Sequence, residues 1–127
     1  MATYRSFKDL ECWQLCREVK VWTYEILEAK KVKDFDILSN MKRAARSTTR
    51  NIAEGYGRFH FKENIQFVRI ARGSLTELED DLDDLVLQGI VSVNEQKEGQ
   101  ILIDKAHKSV NGYILYLKNR LIKEGKK

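Results

Sequence analysis

The segment Arg43 to Arg58 reads RAARSTTRNIAEGYGR and sets four arginines against one glutamate. A guanidinium is a planar fork of donors that matches a phosphate or a carboxylate in two parallel bonds. On a helix Arg43, Ser47, Arg50 and Glu54 step by four, three and four and form one polar stripe. Arg46 stands one turn from both Lys42 and Arg50, so like charges are neighbours. That spacing costs a little locally unless anions or acidic helices offset it. Two uses compete, a phosphate-binding face and a set of ties between helices. Ala45 and Thr48 on the inward stripe are small enough to let a neighbouring helix approach. Gly73 is expected to provide the matching contact, with Ser47, Asn51, Glu54, Ser74 and Glu77 in a shared polar network. Arg43 and Arg50 are then candidate partners of Glu54 or Glu77.

The remaining reactive side chains assemble no catalytic site. Cys12 and Cys16 lie one helical turn apart, but no second Cys or His pair stands at a zinc-ligand spacing, so core packing is expected and no metal. His60 precedes the third helical pattern at a cap position, with Glu63 three residues on, and a capping or solvent role is expected. His107 lies between Lys105 and Lys108, which suggests an exposed face. The acidic run from Glu77 to Asp84 is punctuated by Leu78 and Leu82, which turns its carboxylates toward solvent or another subunit. GYGRFH leaves a helix and does not follow a strand, so it is a poor nucleotide loop. No acid, base and nucleophile come together, and neither an enzyme nor a cofactor is expected.

Stepping by three and four, apolar residues outline four helices over about 7–32, 37–55, 61–88 and 93–123. Ser6 with Asp9 suits a capped start to the first, and Ser92 with Glu95 a capping box at the fourth. Gly89 followed by Ile90 fits the stop of the third. Short links make neighbours antiparallel. The expectation is all-α, a single domain over 1–127 built as an up-down-up-down four-helix bundle. The chain contains no proline; 43% of its residues are apolar and 33% charged, a globular composition. No apolar run is long enough for a membrane span and no signal-peptide core is present, so a cytoplasmic protein is expected. The net charge of +4 is unevenly spread, with residues 36–58 basic and 59–90 acidic.

Three stretches carry a resemblance: FKDLECWQL (Phe7–Leu15), RAARSTTRNIAEGYGR, and RIARGSLTELE (Arg69–Glu79). Together they resemble the 23S rRNA-intervening sequence protein family, also called the four helix bundle protein family. The resemblance spans nearly the whole chain. The family motif falls on Asn51, Ile52, Ala53, Glu54 and Gly55, and on Gly73, Ser74, Glu77 and Leu78. The family is similar in fold to the accessory protein of diversity-generating retroelements. The resemblance implies a homopentameric barrel with a basic surface. This chain departs at Asn40, Thr49 and His60, where the family often has glutamine, proline and serine; Thr49 permits an unkinked second helix.

The functional expectation is a non-enzymatic homo-oligomer, a pentamer by resemblance, that binds structured RNA or an RNA–DNA hybrid by charge and shape. Lys42, Arg43, Arg46, Arg50 and Arg58 are the leading candidates, followed by Lys105 and Lys108. The alternative is a structural adaptor whose ring docks a protein partner and whose arginines serve subunit contacts.

Overall fold

The computed structural model describes residues 5–125. Four helices follow one another: α1 (Glu11–Ala29), α2 (Phe35–Tyr56), α3 (Phe61–Leu87) and α4 (Val93–Gly125). Each packs on its chain neighbours, and α1 closes on α4, while the diagonal pairs stay apart. Cross-helix contacts fix the directions. Lys20 meets Thr49, Ser74 meets Ser47, His107 meets Glu79, and Lys30 meets Glu95. Every adjacent pair is therefore antiparallel.

Local chemistry sets the helix ends. Ser6 caps a 3-10 turn over Phe7–Asp9, its Oγ accepting from the Lys8 N–H, and α1 begins only after Leu10. The capped start thus belongs to the turn, one turn ahead of the helix. α2 begins two residues earlier than the periodicity indicates because Asp34 caps it, accepting from the Ile37 N–H at 3.3 Å. It runs unbroken through Thr49. α3 ends with Gly89 at φ 74, and the Ile90 N–H reaches the Leu85 carbonyl at 3.0 Å, which turns Ile90 back onto the core. The Ser92–Glu95 box closes in both directions, at 3.0 and 3.1 Å.

The core runs the length of the bundle. α3 contributes Leu75, Leu78, Leu82 and Leu85, each all but fully buried and each worth about 1.5–3 kcal/mol relative to exposure. α2 contributes small residues instead: Ala44, Ala45, Thr48 and Thr49 are buried. Thr48 meets its own polar need by donating to the Ala45 carbonyl at 2.7 Å. Cys12 and Cys16 are buried, unpaired thiols, both pushed up to about 12 chiefly by burial. They pack as hydrophobes.

Candidate nucleic-acid interface

α2 carries its cations on two flanks, because a helix turns about 100° per residue. Lys42, Arg46 and Arg50 recur every four residues and face α1; all three are exposed. Arg43, one residue past Lys42, faces α3 and pairs with Glu77. The expected tie between Arg43 and Glu77 is present. Arg50 makes no such tie and belongs to the α1 side.

Sequence reasoning missed the α1 half of this surface. Arg17 and Lys20 stand on α1 opposite Arg50, and Lys20 donates to Thr49 Oγ1 at 2.9 Å. Burial, then the charges of Arg17 and Arg50, lower the Lys20 ammonium below the usual lysine range. Among the described residues none of Arg17, Lys20, Lys42, Arg46 and Arg50 forms an ion pair. Their stepping on α1, by three from Arg17 to Lys20 and by four to Tyr24, was legible. What was not legible was which flank of α1 meets α2.

Beyond Lys20 the same groove opens into a cleft of about 540 Å³. Tyr24, Glu28 and Lys31 line it from α1 and its end, Leu38, Lys42 and Arg46 from α2. The deeper wall is aliphatic, with Leu27 and Val32 buried.

Other candidates lie elsewhere. Arg58 follows the Gly57 cap and turns to the α2–α3 corner. There it pairs with Glu54 at 2.8 Å and Glu63 at 3.7 Å, and its guanidinium covers the Phe67 ring at 4.9 Å. These contacts hold its guanidinium at that corner, away from the α1/α2 groove. Lys105 and Lys108 line a second cleft, about 530 Å³, between α1 and α4 with Leu15, Tyr113 and Tyr116. α1 stands between the two clefts, so they are separate surfaces.

The polar network forms in part. Ser74 Oγ donates to Ser47 Oγ at 2.8 Å, and Asn51 Nδ2 reaches both Ser47 oxygens at 2.9 Å. Glu54 is not a member, since Arg58 takes it. Gly73 is not the close contact either. It is exposed, and a Cβ built there meets nothing within 4 Å. The residue that brings α2 and α3 together is Gly55, whose Cβ would lie 2.6 Å from Asn64 Oδ1 and 3.0 Å from the Asn64 carbonyl. Gly73 points away because Ser74 and Leu75 hold the inward positions of that turn.

His60 stands as expected at the head of α3 and in solvent, whereas His107 differs from expectation. His60 holds the N-cap position of α3 but makes no side-chain cap bond; its ring lies edge-on to Phe59. His107 is half-buried and bonds Glu79 at 2.9 Å across the α3–α4 seam. On the outer face of α3, Glu77, Asp80, Asp81 and Asp84 crowd together. Burial, then Asp80, Glu77 and Asp84, raise the Asp81 carboxyl above the usual range. No three His, Cys, Asp or Glu side chains among the described residues are placed to hold a metal ion, and no helix there is long and apolar enough to cross a membrane.

A search of curated proteins found no match. The model of one protein family covers residues 8–112, from the 3-10 turn into the middle of α4 and across both basic flanks of α2. The chain belongs to the 23S rRNA-intervening sequence protein family.

Proposed function

We propose that the protein is a non-enzymatic, cytoplasmic homo-oligomer that binds nucleic acid, structured RNA or an RNA–DNA hybrid, through the α1/α2 groove. The observation that carries this reading is the set of five cations, Arg17, Lys20, Lys42, Arg46 and Arg50, gathered without an ion-pair partner among the described residues. Such crowding opposes folding, since like charges one helical turn apart repel one another. A polyanion laid along the groove offsets that repulsion, because each cation gains an opposite charge beside it. Antiparallel helices supply a straight track, and cations at one-turn intervals suit a backbone that is read by charge.

A ring of five subunits is the assembly that the family resemblance favours. Exposed apolar residues support association: Ile101, Leu115 and Ile122 recur at multiples of seven along the outside of α4, and Phe59 is 96% exposed. One observation favours the adaptor alternative. The acidic outer face of α3 and the basic groove of α1/α2 are complementary, so a second copy could neutralise the cations.

The test is a fluorescence anisotropy titration of labelled RNAs of unrelated sequence against wild type and the Lys42→Gln, Arg46→Gln, Arg50→Gln triple variant. The proposal expects the variant to keep its fold and its mass by light scattering. It should lose affinity similarly for every sequence. A variant that falls apart into monomers, with wild-type protein that binds no RNA at low salt, supports the subunit-contact alternative instead.

A further inference from the structure

Resting on the groove reading above and narrowing it to the unpaired stretches of a structured RNA, we infer that the 540 Å³ cleft beside Tyr24 takes an unpaired nucleobase, so the groove selects single-stranded segments over any duplex, an RNA–DNA hybrid included. Cations alone would serve any phosphate backbone. The cleft has more than cations. Its deeper wall is Leu27 and Val32, 2% and 8% exposed, with Leu38 beside them and the Tyr24 ring on one side. A phosphate gains nothing from such a wall and loses hydration there. A base has two apolar faces that suit it, and aromatic stacking tolerates any base. The volume lies within the roughly 300–1,000 Å³ typical of small-ligand clefts. Lys42 and Arg46 stand at the rim, where the phosphates flanking an inserted base would pass.

One further detail fits an inserted base better than a phosphate, and a second shows how the wall is built. Glu28 lines the same cleft. A carboxylate repels phosphate but accepts from the exocyclic amino group of a base. Lys31 closes the cleft with φ 49, a left-handed position that glycine usually takes at a helix end. The Val32 N–H reaches back to the Leu27 carbonyl at 3.2 Å, which sets Val32 into the wall and Lys31 at the lip. A duplex keeps its bases stacked and presents none to this cleft.

The test compares four labelled or competing probes at one low ionic strength. They are a short mixed-sequence RNA strand, the same strand with abasic sugars at its centre, the blunt duplex of equal length, and polyglutamate as competitor. The base-bearing strand is expected to bind tightest, with the abasic strand weaker by at least about fivefold. Tyr24→Leu should impose the same loss on the base-bearing strand and none on the abasic one, and Tyr24→Phe should retain wild-type binding. Thermal unfolding checks that both variants fold; if Tyr24→Leu does not, the abasic comparison on wild type decides alone. Equal binding of base-bearing strand, abasic strand and duplex, all weakened by Lys42→Gln with Arg46→Gln, overturns the base cleft and leaves the phosphate groove standing. No binding of any nucleic acid, or displacement by polyglutamate as effective as by unlabelled RNA, overturns both.

Discussion

Two glycines on facing helices should respond to the same substitution with opposite signs. At Gly55 a Cβ would stand 2.6 Å from Asn64 Oδ1, 3.0 Å from the Asn64 carbonyl and 3.1 Å from Phe67 Cβ. Two of those three neighbours are the backbone carbonyl and the first side-chain carbon, which cannot move without moving α3. The Asn64 amide is held as well, because Nδ2 donates to the Tyr113 hydroxyl at 3.2 Å. Its Oδ1 is buried with no hydrogen-bond partner among the described residues and faces the Gly55 backbone. Overpacking of this kind costs about 1–3 kcal/mol, and the gain in helix propensity returns at most about 1 kcal/mol. Gly55→Ala should therefore lose about 1–2 kcal/mol, a fall in Tm of roughly 3–5 °C for each kcal/mol in a chain of this length. At Gly73 nothing lies within 4 Å of the added Cβ. Gly73→Ala should gain about 0.5–1 kcal/mol from reduced backbone freedom in the unfolded chain. Urea titration followed by far-UV circular dichroism reads both differences. Gly55→Ala as stable as wild type, or Gly73→Ala less stable than Gly55→Ala, would refute this account of the α2–α3 contact.

Other perturbations follow from the same contacts. Asp81→Asn should raise stability at neutral pH, because the wild-type carboxyl titrates above its usual range and its charged form is disfavoured; the gap should close as pH falls through that raised value, and a gap that widens in acid would contradict the assignment. Lys20→Met should stabilise the free protein near neutral pH, because the depressed ammonium costs stability while it is charged, and the advantage should fade as pH rises through the lowered value. The same variant should bind RNA more weakly, so stability and affinity move in opposite directions; thermal melts and anisotropy on one preparation check both. Gly99→Ala must displace the Trp22 indole, whose outer ring atoms lie 2.5–2.9 Å from where the added Cβ would stand, and should shift tryptophan emission toward the solvent-exposed wavelength. Unchanged emission would show that the indole does not lie over Gly99.

Much of the architecture was legible because it rests on periodicity and caps. Leu75, Leu78, Leu82 and Leu85 repeat by three and four, and Ser92–Glu95 and Gly89–Ile90 are local signals that need no tertiary context. Asp34 shows the limit of such signals, since a cap with no glutamate three residues on left the start of α2 two residues too late. The site was legible only in part. A stripe on α2 does not say which arginine faces α1 and which faces α3. That depends on the rotation of the helix about its axis, which Ala44, Ala45, Thr48 and Thr49 set jointly by being buried on both sides. Hence Arg43 and Arg58 turned out to be held by Glu77, Glu54 and Glu63, while Arg17 and Lys20 came from a helix that displays no arginine cluster. Gly73 misled for the same reason. A mid-helix glycine signals a close approach only if it faces a neighbour, and here Ser74 occupies that position.

The salt dependence of RNA binding tests the central claim most directly. For a single strand the slope of log affinity against log salt reports about 0.7 per phosphate contact. Wild type and the Lys42→Gln, Arg46→Gln, Arg50→Gln variant should be titrated over the same series of salt concentrations. The account predicts steep salt-sensitive binding for wild type and a slope shallower by up to about 2 units in the variant, with fold and assembly unchanged. A wild-type slope near zero, or a variant whose slope equals that of wild type, would contradict it.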